Sequence, residues 1–221
     1  MIVLAIDTAG VDCSAALYDS AGGQVLSVVT DAIGKGHAER LMAVIDEALE
    51  EAGLALQSVE RVAVVIGPGS FTGIRVGVAA ARGLALALGV GCVGVTTLET
   101  LAQRYLADHP DKPVLAAMDA KRNEVYTQAF SSAGEPLTEP AALSPDEVSA
   151  LAEKLGAALT GSWATSPEER LRYAFEGRDR FDIPTVARLG AQKPVDGQRP
   201  KPLYLRGPDA KPQTGFALAR A

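Results

Sequence analysis

The stretch Gly67-Pro-Gly-Ser-Phe-Thr-Gly-Ile-Arg75 decides the fold of this chain. It follows the apolar run Val62–Ile66, which predicts a buried strand, and it leads into the Gly- and Ala-rich segment 76–88, which has helical character. Pro68 between two glycines favours a sharp turn, because glycine adopts backbone conformations that other residues avoid. A strand, a glycine turn and a helix in succession can present backbone N–H groups to an anion.

The residues around this signature turn (67–75) predict an alternation of strands and helices. Apolar runs alternate with turns rich in Gly and Asp, and one segment has the periodicity of an amphipathic helix. Gly53 is expected to end that helix, and Thr96 or Thr97 to cap a later one. The predicted strands are 2–6, 13–18, 24–30, 62–66 and 92–95, and the predicted helices are 38–52, the segment leading out of the signature turn, and one that begins near residue 97.

The second half of the chain repeats the order of the first. The apolar run 114–118 again ends in an aspartate, Asp119, which lies 112 residues after Asp7. A strand at 124–130 and a turn at 131–135 follow, with Leu137-Thr138 in the place of a third strand. A helix at 144–154, capped by Ser144 with Pro145 at its first position, and a strand at 157–160 complete the half. The same offset of 112 residues aligns Ser20, Ala21 and Gly22 with Ser132, Ala133 and Gly134.

Two βββαβα halves, each with an acidic residue at the end of its first strand, are similar to the duplicated α/β architecture of actin, hexokinase and Hsp70, the ASKHA fold. In that class the first hairpins of two lobes close over the phosphates of ATP. We expect an N-terminal lobe at 1–108 and a C-terminal lobe at 109–221, with prolines 110 and 113 near the boundary. The tail from Pro194 is expected to be extended and only partly packed.

Composition limits the function classes. The chain has 221 residues and a net charge of −6, which argues against a nucleic-acid-binding face formed by this chain alone. Cys13 and Cys92 lack the spacing of metal ligands and are expected to be small, buried and unreactive in a reducing compartment. Since the residues show neither a leader nor an apolar run of about 20 residues, we expect a cytoplasmic protein without membrane association.

Several motifs together resemble the bacterial TsaB family, also called YeaZ. The resemblance implies a partner subunit in the synthesis of threonylcarbamoyladenosine, the modified adenosine beside the tRNA anticodon. It also implies a TsaD-like transferase as partner, a TsaE-like ATPase in the same assembly, contact with tRNA only through that assembly, and a self-dimer in isolation. Besides the signature turn, the motifs are Leu4–Thr8, Ser14–Leu17, His37–Leu41, Thr96–Leu101, Asp119–Tyr126 and Tyr204–Arg206.

A metal site is not expected. Catalytic relatives of the family carry two histidines four residues apart at the start of the first helix, because that spacing places both ligands on one face. Here His37 is followed by Leu41, and His109 lies in a predicted surface loop. One histidine cannot hold the metal, so we interpret His37 as a hydrogen-bonded residue at the start of a helix.

The resemblance makes Asp7, Thr8, Gly10 and Asp119 candidates for a vestigial phosphate site. The second hairpin carries Lys121 and Arg122, where ATP-binding members use small residues, and a late Gly-Gly adenosine motif is missing. We therefore expect no cofactor, with ATP or ADP bound weakly or at a shared interface. The alternative is a stand-alone enzyme of the superfamily, either a glycoprotease-like peptidase or an ATP-dependent kinase. The residues offer neither a His-Glu-x-x-His motif nor a histidine placed to serve a nucleophile.

The helix of the signature turn is the candidate partner surface. It carries small and apolar residues on all sides, which predicts either a fully internal helix or an interface that lets a partner helix approach closely. The family resemblance favours an interface made with the preceding helix. The candidate partner-binding residues are Leu41, Met42, Ile45, Ile74, Val78, Ala81 and Ala85. We predict no catalytic residue in this chain and a supporting role in a threonylcarbamoyltransferase complex.

Overall fold

The structure, a computed structural model, describes residues 1–164, 174–175 and 178–206. Up to residue 160 the strands and helices alternate as the sequence predicts, whereas two short strands and a helix that the sequence analysis did not predict follow before residue 194. The strands are β1 Ile2–Asp7, β2 Asp12–Asp19, β3 Gln24–Ala32, β4 Arg61–Gly67, β5 Gly91–Thr96, β6 Val114–Asp119, β7 Val125–Phe130, β8 Ala141–Leu143, β9 Ala158–Thr160, β10 Ala174–Phe175 and β11 Arg178–Asp179. The helices are α1 His37–Ala52, α2 Phe71–Leu88, α3 Thr97–Asp108, α4 Pro145–Leu155 and α5 Ile183–Gln192, with a 3-10 turn at Leu56–Ser58.

Two sheets carry the predicted duplication. The first has the strand order β3-β2-β1-β4-β5, with β1 antiparallel to β2 and parallel to β4. The second has the order β8-β7-β6-β9, with β6 antiparallel to β7 and parallel to β9. The central strands β1 and β6 each end in an aspartate, and each is followed by a turn and an antiparallel partner. The repeated order confirms the duplicated α/β ASKHA-like fold with two lobes.

Helices cover the faces of both sheets. Helices α1 and α2 lie on one face of the first sheet, and α5 packs against β1, β2 and β4 from the other. Helix α3 packs on β6, so its apolar side chains join the core of the second sheet to that of the first. A smaller core lies beneath α4 and includes Leu115, Ala129 and Val148.

Caps set the helix boundaries where the sequence predicts them. Thr96 caps α3 and Ser144 caps α4, each in a capping box with a glutamate three residues later. Gly53 ends α1 in the left-handed conformation, with φ 64°. The third strand of the second half lies later than expected, at Ala141–Leu143. Leu137 and Thr138 still lie beside β7: the Leu137 N–H donates to the Ala129 oxygen at 2.8 Å, and the Ala129 N–H donates to the Thr138 hydroxyl at 3.0 Å.

The end of the chain returns to the first sheet. Helix α5 and residues 194–206 follow the second sheet in sequence, yet α5 packs on the first sheet and Val195 lies against Gly91 of β5. The guanidinium of Arg61 in β4 fixes this arrangement by donating to the carbonyls of Gly190, Ala191 and Lys193 at the end of α5. The division of the chain at residue 108 stays a prediction, and residues 207–221 of the predicted extended tail lie outside the described residues.

Helix α2 meets the length and composition of a membrane span, with 18 residues and a mean hydropathy of 1.4. The helix is shorter than the run of about 20 apolar residues named in the sequence analysis, and it includes Arg75 and Arg82. One such helix is weak evidence for a membrane, because the core helix of a soluble protein passes the same test. The inner face of α2, which includes Ile74 and Val78, packs on β4.

Candidate functional site

A cleft of about 670 Å³ lies where the two central strands end. Its walls are the turn after β1, the loop that leads into α1, and the first turns of α2. Lys121, from the turn after β6, and Asp179, at the end of β11, complete the lining. Burial raises the pKa of Asp179 to about 6, although a hydrogen bond from Ser162 and the charge of Lys121 oppose the shift. The cleft is therefore built by both halves of the chain and carries charges of both signs.

The glycines of the signature turn allow α2 to touch the end of β1. A Cβ on Gly73 would lie 1.9 Å from the backbone oxygen of Thr8, and one on Gly69 would lie 2.5 Å from that of Ala9. The Ser70 N–H donates to the Ala9 oxygen at 2.7 Å, while the Ser70 hydroxyl caps α2 at Gly73. These contacts explain why the turn needs glycine at both positions.

The four candidate phosphate-binding residues have different surroundings in the structure. Asp7 and Thr8 are buried, and the Thr8 hydroxyl donates to the Gly73 carbonyl at 2.7 Å. Burial, helped by the charge of Asp12, raises the pKa of Asp7 to about 7 against the opposing hydrogen bond from the Ala9 N–H. Gly10 lines the cleft, and Asp119 bonds to Lys121. Of the four candidates, Gly10 lines the cleft, whereas Asp7, Thr8 and Asp119 do not.

The turn after β6 holds Lys121, Arg122 and Asn123 in the left-handed conformation, with φ of 62°, 56° and 62°. Asn123 suits this conformation better than most residues, in line with its place in the predicted turn. Asp119 stabilises the turn by accepting from the Lys121 N–H at 2.8 Å and from its ammonium group at 2.7 Å. Burial raises the pKa of Asp119, but these bonds outweigh burial and leave the pKa below its usual value.

His37 is bound inside the fold. Its Nε2 lies 3.1 Å from the backbone oxygen of Asp12, and both His37 and Leu41 are buried. Across the part of the chain that the structure describes, no three His, Cys, Asp or Glu side chains are grouped so that they could hold a metal ion. The absence of a metal stays a prediction, and His37 has the hydrogen-bonding place that the sequence predicts for it.

The thiols are protected by burial. Burial raises the pKa of both the Cys13 and the Cys92 thiols to about 11, so both are protonated at neutral pH. Cys13 is fully buried and Cys92 partly so. The expectation of a buried cysteine is confirmed for Cys13, whereas Cys92 is only partly buried.

Two contacts that sequence analysis missed tie residues 204–206 to α2 and to the turn after β6. The guanidinium of Arg75 lies 3.5 Å from the centre of the Phe71 ring and donates from Nε to the Tyr204 hydroxyl at 2.8 Å. Two residues later, Arg206 pairs with Glu124 and donates to the Lys121 oxygen at 3.3 Å. Both arginines belong to quoted motifs, but their partners lie 129 and 82 residues away, a distance that local patterns cannot bridge.

The candidate partner-binding residues mostly face inward. On α1 and α2, Met42 alone of the seven is exposed, at 47%. The other six are packed in the main core with exposures of 4% or less; they are Leu41, Ile45, Ile74, Val78, Ala81 and Ala85. Of the seven, a partner that binds these two helices would therefore meet Met42 and otherwise residues outside the set, and the partner surface itself stays a prediction.

The outer faces of α1 and α2 carry opposite charges. The exposed positions of α1 include Glu39, Met42, Asp46 and Glu50. The exposed positions of α2 include Arg75, Ala79, Arg82, Gly83, Leu86 and Ala87, and Leu86 is 71% exposed. The two helices lie side by side, so they form one surface, the α1/α2 face, with an acidic and a basic half.

Two duplicated lobes with a cleft between their central turns define a protein of the actin-like class. A crystal structure described as similar to the peptidase YeaZ, from Pseudomonas aeruginosa, superimposes with a TM-score of 0.75 at 29% identity and covers 93% of this chain and 99% of that one. YeaZ from P. aeruginosa itself aligns with a TM-score of 0.59 at 37% identity, over 65% and 68% of the two chains.

Sequence comparison agrees with the structural likeness. The family model of the tRNA N6-adenosine threonylcarbamoyltransferase TsaD matches residues 21–187. The tRNA threonylcarbamoyladenosine biosynthesis protein TsaB of Escherichia coli is 37% identical over 126 residues, which are 57% of this chain and 53% of that protein. A Mycobacterium tuberculosis protein is 33% identical over 95% of this chain and 94% of its own length. The chain belongs to the TsaB (YeaZ) family.

For several relatives the alignment covers only part of the relative's own length. The chain spans between 52% and 58% of the length of the first four curated relatives, which come from Mycobacterium leprae, E. coli, Haemophilus influenzae and Buchnera aphidicola. In the E. coli relative the aligned part is a little over half of each chain.

Proposed function

We propose that this chain is a non-catalytic subunit of the assembly that makes threonylcarbamoyladenosine in tRNA. In that role it binds a TsaD-like transferase and activates it. The names of the TsaB relatives support the pathway, and the TsaD family model supports a common ancestry with the transferase. The observation that carries the non-catalytic role is the burial of Asp7, Thr8 and His37 inside the fold.

The α1/α2 face supports the partner role. Arg82 and Leu86 on α2 are exposed next to small residues, which allow a second helix to approach closely. The acids on α1 complement this basic half, so a two-fold pairing would place α1 of each subunit against α2 of the other. We propose that this face forms a self-dimer in isolation and that a TsaD-like subunit, which shares the fold, competes for it.

The remaining members of the assembly follow from the same proposal. A TsaE-like ATPase supplies nucleotide hydrolysis, because Asp7 and Thr8, two of the candidate phosphate-binding residues, are buried and do not line the cleft of this chain. ATP or ADP would bind weakly here or at an interface shared with the partner. The net charge of −6 favours tRNA contact through the partner rather than through this chain, in the cytoplasm where tRNA is modified.

Reconstitution tests the proposed function. The purified chain, a TsaD-like subunit, a TsaE-like ATPase and the threonylcarbamoyl adenylate are combined with unmodified tRNA, and modified nucleoside is measured. We expect no transfer by this chain alone and at least tenfold more transfer by the TsaD-like subunit when the chain is present. Transfer by the chain alone would instead favour a stand-alone enzyme, and a partner equally active without it would refute the supporting role.

A further inference from the structure

The turn between β1 and β2 is held by segments that are far apart in the sequence. The Val11 N–H donates to the Asp179 oxygen at 3.0 Å, and the Gly34 N–H donates to the Val11 oxygen at 2.9 Å. His37 Nε2 lies 3.1 Å from the Asp12 oxygen. Gly10 lies so close to β11 that a Cβ would come within 2.3 Å of the Asp179 oxygen. We call this set of contacts the hairpin latch.

Behind the hairpin latch lie two buried carboxyl groups, and the charge of Asp12 contributes to raising the pKa of Asp7. Asp12 Oδ2 accepts from Arg180 Nε at 2.6 Å, and its side chain is 4% exposed. Asp7 Oδ1 accepts from the Ala9 N–H at 2.8 Å, and Asp7 is 0% exposed. Within the described residues, the buried atoms Asp7 Oδ2, Asp12 Oδ1 and Ser14 Oγ have no hydrogen-bond partner. Two carboxylates would leave an excess negative charge in the core, which is costly unless one of them is protonated.

The other charged groups around this site do not remove that excess. Two residues of β2 interact electrostatically with Asp7. They are Asp12, whose charge raises the pKa of Asp7, and Cys13, whose thiol is protonated. The charges of Asp31 on β3 and Arg40 on α1 act on the Cys13 thiol. Because these two side chains form an ion pair with each other, they do not neutralise Asp7. His37 contacts the Asp12 backbone, and Asp179 reaches the turn through its carbonyl. On α2 the neighbour is the uncharged Gly73, whose carbonyl accepts from Thr8.

We propose that a proton held by Asp7 keeps the hairpin latch closed and that its loss loosens the latch. An ionised Asp7 would repel the carboxylate of Asp12. That carboxylate binds Arg180, and the backbone carbonyl of the same residue binds His37, so the repulsion would disturb both contacts. The latch lines the cleft and fixes the first residue of α1. It is a pH-sensitive device built into the fold, and it stands independently of the proposed function.

The pKa of Asp7 sets the pH window. Its folded value of about 7 lies above the ordinary 3.8, since burial and then Asp12 disfavour the charged form. Between these values the folded chain holds more protons than the unfolded chain, so stability falls as pH rises. The neutral Asp7 carboxyl contributes fully to the stability of the folded chain below pH 3.8, and this contribution is lost as pH rises through about 7. Opening of the latch is therefore expected to increase from mildly acidic to neutral pH and to level off above about pH 7.

Asp7→Asn tests the proposal because it keeps an oxygen for the Ala9 N–H and cannot ionise. Hydrogen exchange of the Val11 and Gly34 amides is measured from pH 5.5 to 8.5 as a protection factor, which removes the intrinsic effect of pH on exchange. In the wild type we expect both protection factors to fall at least tenfold. In Asp7→Asn they should change by less than threefold, and the exposed control Asp46→Asn should follow the wild type. Equal pH dependence in Asp7→Asn and the wild type would overturn the proposal.

A second measurement covers the case in which Asp7→Asn does not fold. The carboxyl carbon of Asp7 is followed by NMR in the wild-type chain labelled with ¹³C-aspartate. We expect this carbon to titrate near neutral pH, together with the loss of protection at Val11 and Gly34. A midpoint below pH 5, or protection of these amides that is constant through the Asp7 titration, would show that no proton on Asp7 holds the latch.

Discussion

Gly73→Ala is expected to destabilise the chain by about 3 kcal/mol or more. The new Cβ would lie 1.9 Å from the backbone oxygen of Thr8, a distance that real contacts do not reach. Thr8 cannot move away easily, because it is buried and its hydroxyl donates to the carbonyl of the same glycine. The first turn of α2 would have to separate from β1, and the cleft wall formed by α2 would move with it. Denaturant unfolding measures the change in the free energy of unfolding.

Gly83→Ala is the matched control on the same helix. Gly83 is exposed, and a Cβ there meets nothing within 4 Å. Alanine should therefore stabilise the chain by roughly 0.5–1 kcal/mol through its higher helix propensity. If the free energies of unfolding of Gly73→Ala and Gly83→Ala differ by less than about 1 kcal/mol, the close approach of α2 to β1 does not fix the signature turn.

Ala79→Glu is expected to weaken association through the α1/α2 face by about 100-fold or more, because an unpaired charge would be buried where helices approach closely. Ala79 is exposed on α2, so the monomer should fold normally. Ala81, two residues later, is 0% exposed and packs in the core. Ala81→Glu should therefore unfold the chain. Sedimentation and calorimetric titration with a TsaD-like subunit, alongside circular dichroism, separate the two outcomes.

Ala79→Ser controls for the substitution itself. A serine keeps the side chain small, so association should stay within about threefold of the wild type. If folded Ala79→Glu associates as tightly as Ala79→Ser, the interface lies away from the outer face of α2. If Ala79→Glu and Ala81→Glu unfold alike, the outer face of α2 is part of the core.

Local signals account for most of the fold. The caps at Thr96 and Ser144 and the glycine at residue 53 act within a few residues, so the sequence reveals them directly. The 112-residue repeat predicts the second sheet because Asp7 and Asp119 end corresponding strands. The family resemblance and the duplicated fold are both confirmed.

Periodicity could not orient α2. Apolar and small residues surround the whole helix, so Val78 and Leu86 are indistinguishable by pattern. The structure buries Val78 at 3% exposure and leaves Leu86 at 71%. Of the seven candidate partner-binding residues, Met42 was identifiable as exposed only once the sheet packing was known.

Long-range contacts were also out of reach. Asp179 and Arg180 belong to no motif, yet they bind the turn after β1 across more than half of the chain. The return of α5 to the first sheet depends on Arg61, whose three carbonyl partners lie about 130 residues later in sequence. Such contacts arise from the assembled fold and leave no local signal.

The content of threonylcarbamoyladenosine in cellular tRNA tests the central claim most directly. The chain is depleted from its native cells, and the modified nucleoside is quantified by mass spectrometry with wild-type or Ala79→Glu protein restored at equal levels. The account predicts at least a tenfold loss on depletion, full recovery with the wild type and little recovery with Ala79→Glu. Unchanged modification in depleted cells would contradict a required role for this chain in tRNA modification.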